Sequence, residues 1–209
     1  RFAAHGKLDV LTPQLARSRR TLRTFGVQLS ALRPPPEAKP LAATLAKLVT
    51  VERSLVDEMY RFTVFLPAFQ AAITPADRAV ASFRRAATAA KTSPAEAAAT
   101  SAYAAALSLP IAALARLSPP AVLRPAYASE VHVLRSTRAT ARALTAALRA
   151  RQATKAHILI VRLALVARGN GTLATQRAEI AAVSAYDAKV LEIGHLETRA
   201  QQQLLRLQK

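Results

Sequence analysis

The sequence predicts an all-α protein: an elongated up-and-down bundle of about five long helices, arranged as two tandem helical hairpins plus a C-terminal helix. Three observations predict it. Alanine is the commonest residue, with five glycines and one asparagine in 209 residues, a mixture that favours helix. Apolar residues recur at alternating steps of three and four. The motif Leu-x-Pro-Pro-x-x-x-(Lys/Arg)-Pro occurs twice, at Leu32–Pro40 and at Leu117–Pro125.

The first helix is expected from Asp9 to Leu32, with Thr12-Pro13 as N-cap and first-turn proline. Leu15, Leu22, Val27, Leu29 and Leu32 give its apolar side. The prolines from Pro34 to Pro36 stop it, because proline disfavours helix in the residue before it. A second helix then runs from Glu37 to Leu66. Leu41, Leu45, Leu48, Leu55, Met59, Phe62 and Leu66 form its seam, and Glu52 occupies the remaining seam position. A carboxylate there needs a partner or access to water, and drift of the seam brings it to solvent.

Pro67 is expected to end or kink this helix, with Thr74-Pro75 opening the next. Ser93, Pro94 and Glu96 have capping-box spacing and start another, 94–117, bent by Pro110. Ala97–Ala115 is uncharged and long enough to span a membrane, but weakly hydrophobic, and reads as a buried helix. A further helix starts at Pro119 or Pro120. Beyond Arg149 its pattern rotates, so it either breaks near Gln152 or packs its second half on a new neighbour, expected to be the last helix. Gly169-Asn170-Gly171 is a turn. The last helix runs from Leu173 to Leu207, with Val183, Tyr186, Val190, Ile193, Ala200, Leu204 and Leu207 as its seam and Glu197 on it.

Sliding the chain by 85 residues superimposes the two proline corners and matches 8 of the 32 positions from 22 to 53. Shared prolines in register point to an internal repeat, about 9–70 and 94–155, followed by the C-terminal helix 172–208. Residues 1–209 are read as a single domain, since a lone hairpin cannot bury both of its apolar faces.

The chain carries 30 Lys and Arg against 12 Asp and Glu, a net charge of +18. Such a charge fits polyanionic partners: polyphosphate, nucleic acid, an acidic polymer or an anionic membrane surface. A codon-biased soluble surface fits it too, because Arg outnumbers Lys 23 to 7. The charge is unevenly spread, at net +8 over residues 120–168, +6 over 1–40 and zero over 41–75. At roughly 100° per residue, Arg135, Arg138, Arg142 and Arg149 share one narrow sector facing away from most of the apolar positions. These four are the first polyanion-binding candidates. Arg17, Arg19, Arg20 and Arg23, within two turns of the first helix, are the second set. No aromatic beyond Tyr127 interleaves the basic face, so stacking on single-stranded bases is not expected.

Catalytic patterns are missing. Without cysteine there is no disulfide, thiolate metal site or cysteine nucleophile. No Gly-rich phosphate loop or nucleophile elbow occurs, and no cofactor is expected. Glu192 and His195 have E-x-x-H spacing, but di-iron bundles need two such motifs and two further glutamates. A surface Glu and His is the simpler reading.

His132-Val133-Leu134-Arg135, followed by Arg138 and Arg142, resembles the His-x-x-Arg arginine-rich helices of CHAD domains, helical proteins associated with polyphosphate. The likeness covers about a dozen residues, without that family's paired arginines, and the proline corner is not part of its pattern. It implies polyphosphate as a partner class and no more.

The sequence thus points to a non-enzymatic helical scaffold or interaction module that can oligomerise or bind a protein partner. The alternative is a polyanion-binding protein using a basic helix face. The chain begins at Arg1 rather than Met, and on that ground an exported or membrane-associated protein is expected over a cytoplasmic one.

Overall fold

The computed structural model describes residues 5–169 and 172–208. All regular structure among them is helical: α1 (His5–Ala31), α2 (Lys39–Ala89), α3 (Ser93–Ala106), α4 (Ser108–Leu114), α5 (Arg124–Arg149), α6 (Ala153–Gly169) and α7 (Thr172–Leu207). Short 3-10 helices at Pro36–Ala38 and Ala121–Leu123 lead into α2 and α5. The chain packs as two compact units. One comprises residues up to Val64 together with those from Ile180 onward; the other comprises Phe65–Glu179.

The two proline corners follow the same backbone course. Pro35 and Pro120 are both extended, with φ/ψ of −60°/159° and −51°/151°. Each opens a three-residue 3-10 helix, and its carbonyl accepts a bond of 3.0 Å from the third residue, Ala38 or Leu123. Lys39 and Arg124 then enter the α region with nearly identical torsions. All these positions correspond at the 85-residue offset. The proline rings impose this course: they fix φ and remove the donors that would have continued the preceding helix. The 3-10 turns displace the expected start of α5 from Pro119–Pro120 to Arg124.

The first unit contains α1, the first part of α2 and most of α7. Val49, Leu196 and Ala200 are its buried apolar residues, with Thr44 and Thr63 buried among the polar ones. Val49 lies 3.5 Å from where a Cβ on Gly26 of α1 would stand. Ion pairs supplement this small core. Lys189 of α7 meets Glu58 at 2.6 Å and the Ser54 hydroxyl at 3.2 Å, and Lys47 meets Glu192 at 2.9 Å.

Several expectations fail in this unit. α1 runs through Thr12-Pro13 instead of starting there, and Val27 and Leu32 point outward. Glu52, by contrast, does reach solvent in part, being half-buried. The expected seam of α7 is largely exposed: Val183, Tyr186, Val190, Leu204 and Leu207 all face water. The line turned inward is Lys189, Glu192, Ile193, Leu196 and Ala200. Periodicity finds the most apolar stripe, but α2 offers Lys47, Ser54 and Glu58, and complementary charge selects the mixed stripe instead.

The second unit is built around α5, which packs against α3 on one side and α6 on another. Ala97, Ala104, Ala141, Ala147 and Ala156 are all nearly inaccessible, as are Leu107, Leu114 and Leu144. Small side chains let helix axes approach closely, so the alanine content serves packing as well as propensity. Phe65, Phe69 and Tyr127 form an aromatic cluster with ring centroids 5.6–6.2 Å apart. The Tyr127 hydroxyl donates to the Leu114 carbonyl, which also accepts from the Leu117 N–H at 2.9 Å.

α2 is continuous through Pro67 and Pro75, against the expected stop. Thr74 is no N-cap there; its hydroxyl donates back to the Gln70 carbonyl at 2.7 Å. Each interior proline costs about 3 kcal/mol. Burial of Phe65, Ala72, Ala76 and Ala79 along the same helix offsets that. The cap of α3 lies one residue earlier than expected. Thr92 accepts from the Ala95 N–H, while the Ser93 hydroxyl donates to the Leu148 carbonyl of α5 at 3.2 Å. The break between α3 and α4 falls at Leu107, three residues before Pro110. By length and composition Ser93–Leu114 could cross a membrane; here Ala97, Ala104, Leu107, Ile111 and Leu114 form core.

α5 ends in a Schellman motif, the break expected near Gln152. The Gln152 N–H reaches the Ala147 carbonyl at 2.9 Å and the Arg151 N–H reaches Leu148 at 3.1 Å. Arg151 has φ of 53°, the left-handed conformation that glycine ordinarily supplies. α6 then folds back onto α5 through Ala156 and Leu163. Asn170-Gly171 lies outside the described residues.

Candidate functional site

Val131, Leu134, Thr137, Ala141, Leu144 and Leu148 bury one side of α5. Helical geometry then decides what the other side presents. Arg135, Arg142 and Arg149 recur every seven residues, about 10.5 Å apart along the axis, and all three are exposed. Arg124 and His132 are exposed on the same stripe, and Ala128, Ala139 and Ala146 separate the charges. Small residues between them leave the guanidinium groups unobstructed. Arg138 differs from its three companions. It is half-buried, and its Nε is buried without a hydrogen-bond partner among the described residues.

No acidic residue occurs between Glu130 and Glu179. Glu130, the acid of α5, is half-buried, and its pKa is raised by burial and then by the nearby charge of Asp77. Burial also raises the pKa of the Tyr127 phenol, with Arg135 pulling it the other way. The outer face of α5 therefore carries one sign of charge. Arg151, Lys155 and Arg162, beyond the break, are exposed as well.

The second candidate set divides. Arg17, Arg20 and Arg23 are exposed on α1. Arg19 is turned inward: its guanidinium pairs with Asp57 and lies 4.4 Å from the centroid of the Tyr60 ring. That geometry serves the packing of α1 on α2.

The E-x-x-H pair is not assembled into a larger site. Glu192 is paired with Lys47, and His195 is exposed. Among the described residues, no group of three or more His, Asp or Glu side chains is gathered where it could hold a metal ion.

Two features escaped the sequence reading. Arg124 falls in the angular sector of Arg135 and Arg142, and extending the helical projection backward by 11 residues, about three turns, would have found it. The other feature is an open groove of about 420 Å³ in the second unit, between α2, α3, α5 and α6. Nothing in the sequence announces it, because its walls come from four separate helices.

No protein-family model matches the chain, and neither a curated protein nor a solved structure matches it.

Proposed function

We propose that this chain is a non-enzymatic interaction module that binds a polyanion through the outer face of α5. The observation that carries the reading is the exposed stripe of Arg124, His132, Arg135, Arg142 and Arg149, free of acidic residues and spaced by alanine. A straight row of cations at regular spacing complements a linear polymer of phosphates, and a net charge of +18 steers such a polymer to the protein. The stripe offers no aromatic platform, which favours polyphosphate, duplex nucleic acid or an anionic surface over single-stranded bases.

Binding of a fluorescent polyphosphate or a short duplex DNA, measured against salt, tests this. Affinity should fall steeply with salt, and each arginine removed from the stripe should lower the slope by about one charge's worth of counterion release. Charge reversal of Arg135, Arg142 and Arg149 should abolish binding at moderate salt. Unchanged binding by that variant would overturn the assignment.

A second reading, a scaffold that docks another protein or a second copy of itself, is favoured by one observation. Ile158, Val161 and Leu165 form a stripe on α6 opposite its buried side, and are 61%, 45% and 62% exposed. Water-facing rows of large apolar residues are what docking surfaces cover. Sedimentation of the chain and of an Ile158→Ser/Leu165→Ser variant separates the oligomer from the monomer.

We also infer that the two proline corners are copies of one hairpin unit. Their matched torsions and hydrogen bonds at the 85-residue offset support this, as does the occurrence of one corner in each compact unit.

A further inference from the structure

We propose that the groove between α2, α3, α5 and α6 binds a small amphipathic carboxylate, with the apolar body in the groove and the carboxylate between Arg84 and the Tyr103 hydroxyl. This site lies apart from the charged stripe and does not rest on the polyanion reading.

The groove has the size of a small-molecule pocket, about 420 Å³ against the roughly 300–1,000 Å³ usual for ligand sites. Val80, Phe83, Leu144, Leu148 and Leu163 give it apolar walls, which select an apolar ligand body. Its shape is set by rigid elements. The Phe83 and Tyr103 rings stack at 4.6 Å and 15° across α2 and α3, and Leu144 and Leu148 belong to the buried face of α5.

The polar groups at the groove decide the headgroup. Thr100 is committed, since its hydroxyl donates to the Glu96 carbonyl at 2.6 Å. The Tyr103 hydroxyl makes no hydrogen bond among the described residues, although Tyr103 is only 7% exposed. The phenol oxygen is not sealed off from the groove, so it can donate to a ligand oxygen there. Arg84 lines the same groove and has no ion pair among the described residues.

Glu96 is the opposing charge on the rim. Burial raises the pKa of the Tyr103 phenol, and the Arg84 charge pulls it the other way. A neutral donor and a cation thus line one apolar groove. A carboxylate accepts from both.

Titration calorimetry of the whole chain with decanoate, decanol and decyltrimethylammonium tests the proposal. One molecule of decanoate should bind, more tightly than either analogue. Arg84→Gln and Tyr103→Phe should each weaken decanoate about tenfold, the scale of one charge-assisted hydrogen bond, and leave decanol unchanged. Ala164, exposed on the groove wall, offers a variant that spares the core. Ala164→Phe should block decanoate and decanol alike without lowering the unfolding midpoint. Equal affinity for decanoate and decanol would overturn the headgroup assignment. So would preference for the ammonium compound, which would make Glu96 the dominant group. Binding at many equal sites, insensitive to Ala164→Phe, would show attraction to a basic surface only and overturn the site.

Discussion

Glu52 of α2 and Glu197 of α7 oppose one another as like charges. The Glu52 carboxyl is half-buried, and burial first and the Glu197 charge second raise its pKa. Periodicity alone places both residues on apolar seams, and the fold sets one against the other within the first unit.

The sign of the effect follows from linkage. A carboxyl whose pKa is higher in the folded state binds its proton more tightly there, so its contribution to stability is present at low pH. It is lost as pH rises through the folded value. Glu52→Gln should therefore raise the unfolding midpoint near pH 7, and the gain should vanish as pH falls below about 4. The gain should stay below about 1 kcal/mol, because water still screens a half-exposed carboxyl. Thermal unfolding from acid to neutral pH measures it. A gain that is independent of pH would place the cause elsewhere.

Arg19 and Arg20 are neighbours in sequence with different surroundings. Arg19 has the Asp57 carboxylate and the face of Tyr60; Arg20 is exposed. Arg19→Ala should destabilise the protein by about 1–2 kcal/mol, and Arg20→Ala by less than about 0.5 kcal/mol. Arg19→Lys should recover only part of the loss, since an ammonium cannot match the planar contact. Denaturant titration distinguishes these outcomes.

Arg151 holds a left-handed conformation at the end of α5. Glycine has no Cβ to clash there. Arg151→Gly should stabilise the chain by about 1 kcal/mol, and Arg151→Val should destabilise it. The paired variants matter because both remove the same charge, so an electrostatic origin predicts the same sign for each. Unfolding midpoints at two salt concentrations complete the test.

Tyr127 ties the second proline corner to the α5 core, with its hydroxyl on the Leu114 carbonyl and its ring against Phe65 and Phe69. Tyr127→Phe keeps the ring and loses the bond. It should cost about 1 kcal/mol, and amide exchange at Leu117, whose N–H shares that carbonyl, should accelerate more than exchange in α6. Uniform acceleration throughout the second unit would indicate a global effect without a local clamp.

The candidate stripe was largely legible. The seven-residue spacing of Arg135, Arg142 and Arg149 fixes them on one side of any helix, and apolar residues at Leu134, Ala141 and Leu148 fix which side is buried. Arg138 was harder to place. Its angle puts it with the others, but it sits at the edge of the buried face, where a small rotation decides whether its Nε meets water. Arg19 was not legible, because its partners Asp57 and Tyr60 are 38 and 41 residues away. The groove lined by Arg84 and Tyr103 was invisible for the same reason.

The sequence by itself determined the helical class, the two proline corners with their shared backbone course, and the outward basic face of α5. These depend on torsional preferences, missing N–H donors and periodicity, all of which act within a turn or two of chain. Only the tertiary structure decided that α2 runs through two prolines, that α7 turns Lys189 and Glu192 toward α2 ahead of its more apolar stripe, and that α6 returns to α5. In each case burial against a distant part of the chain selects between local alternatives. The choice is made by a surface that the local sequence does not contain.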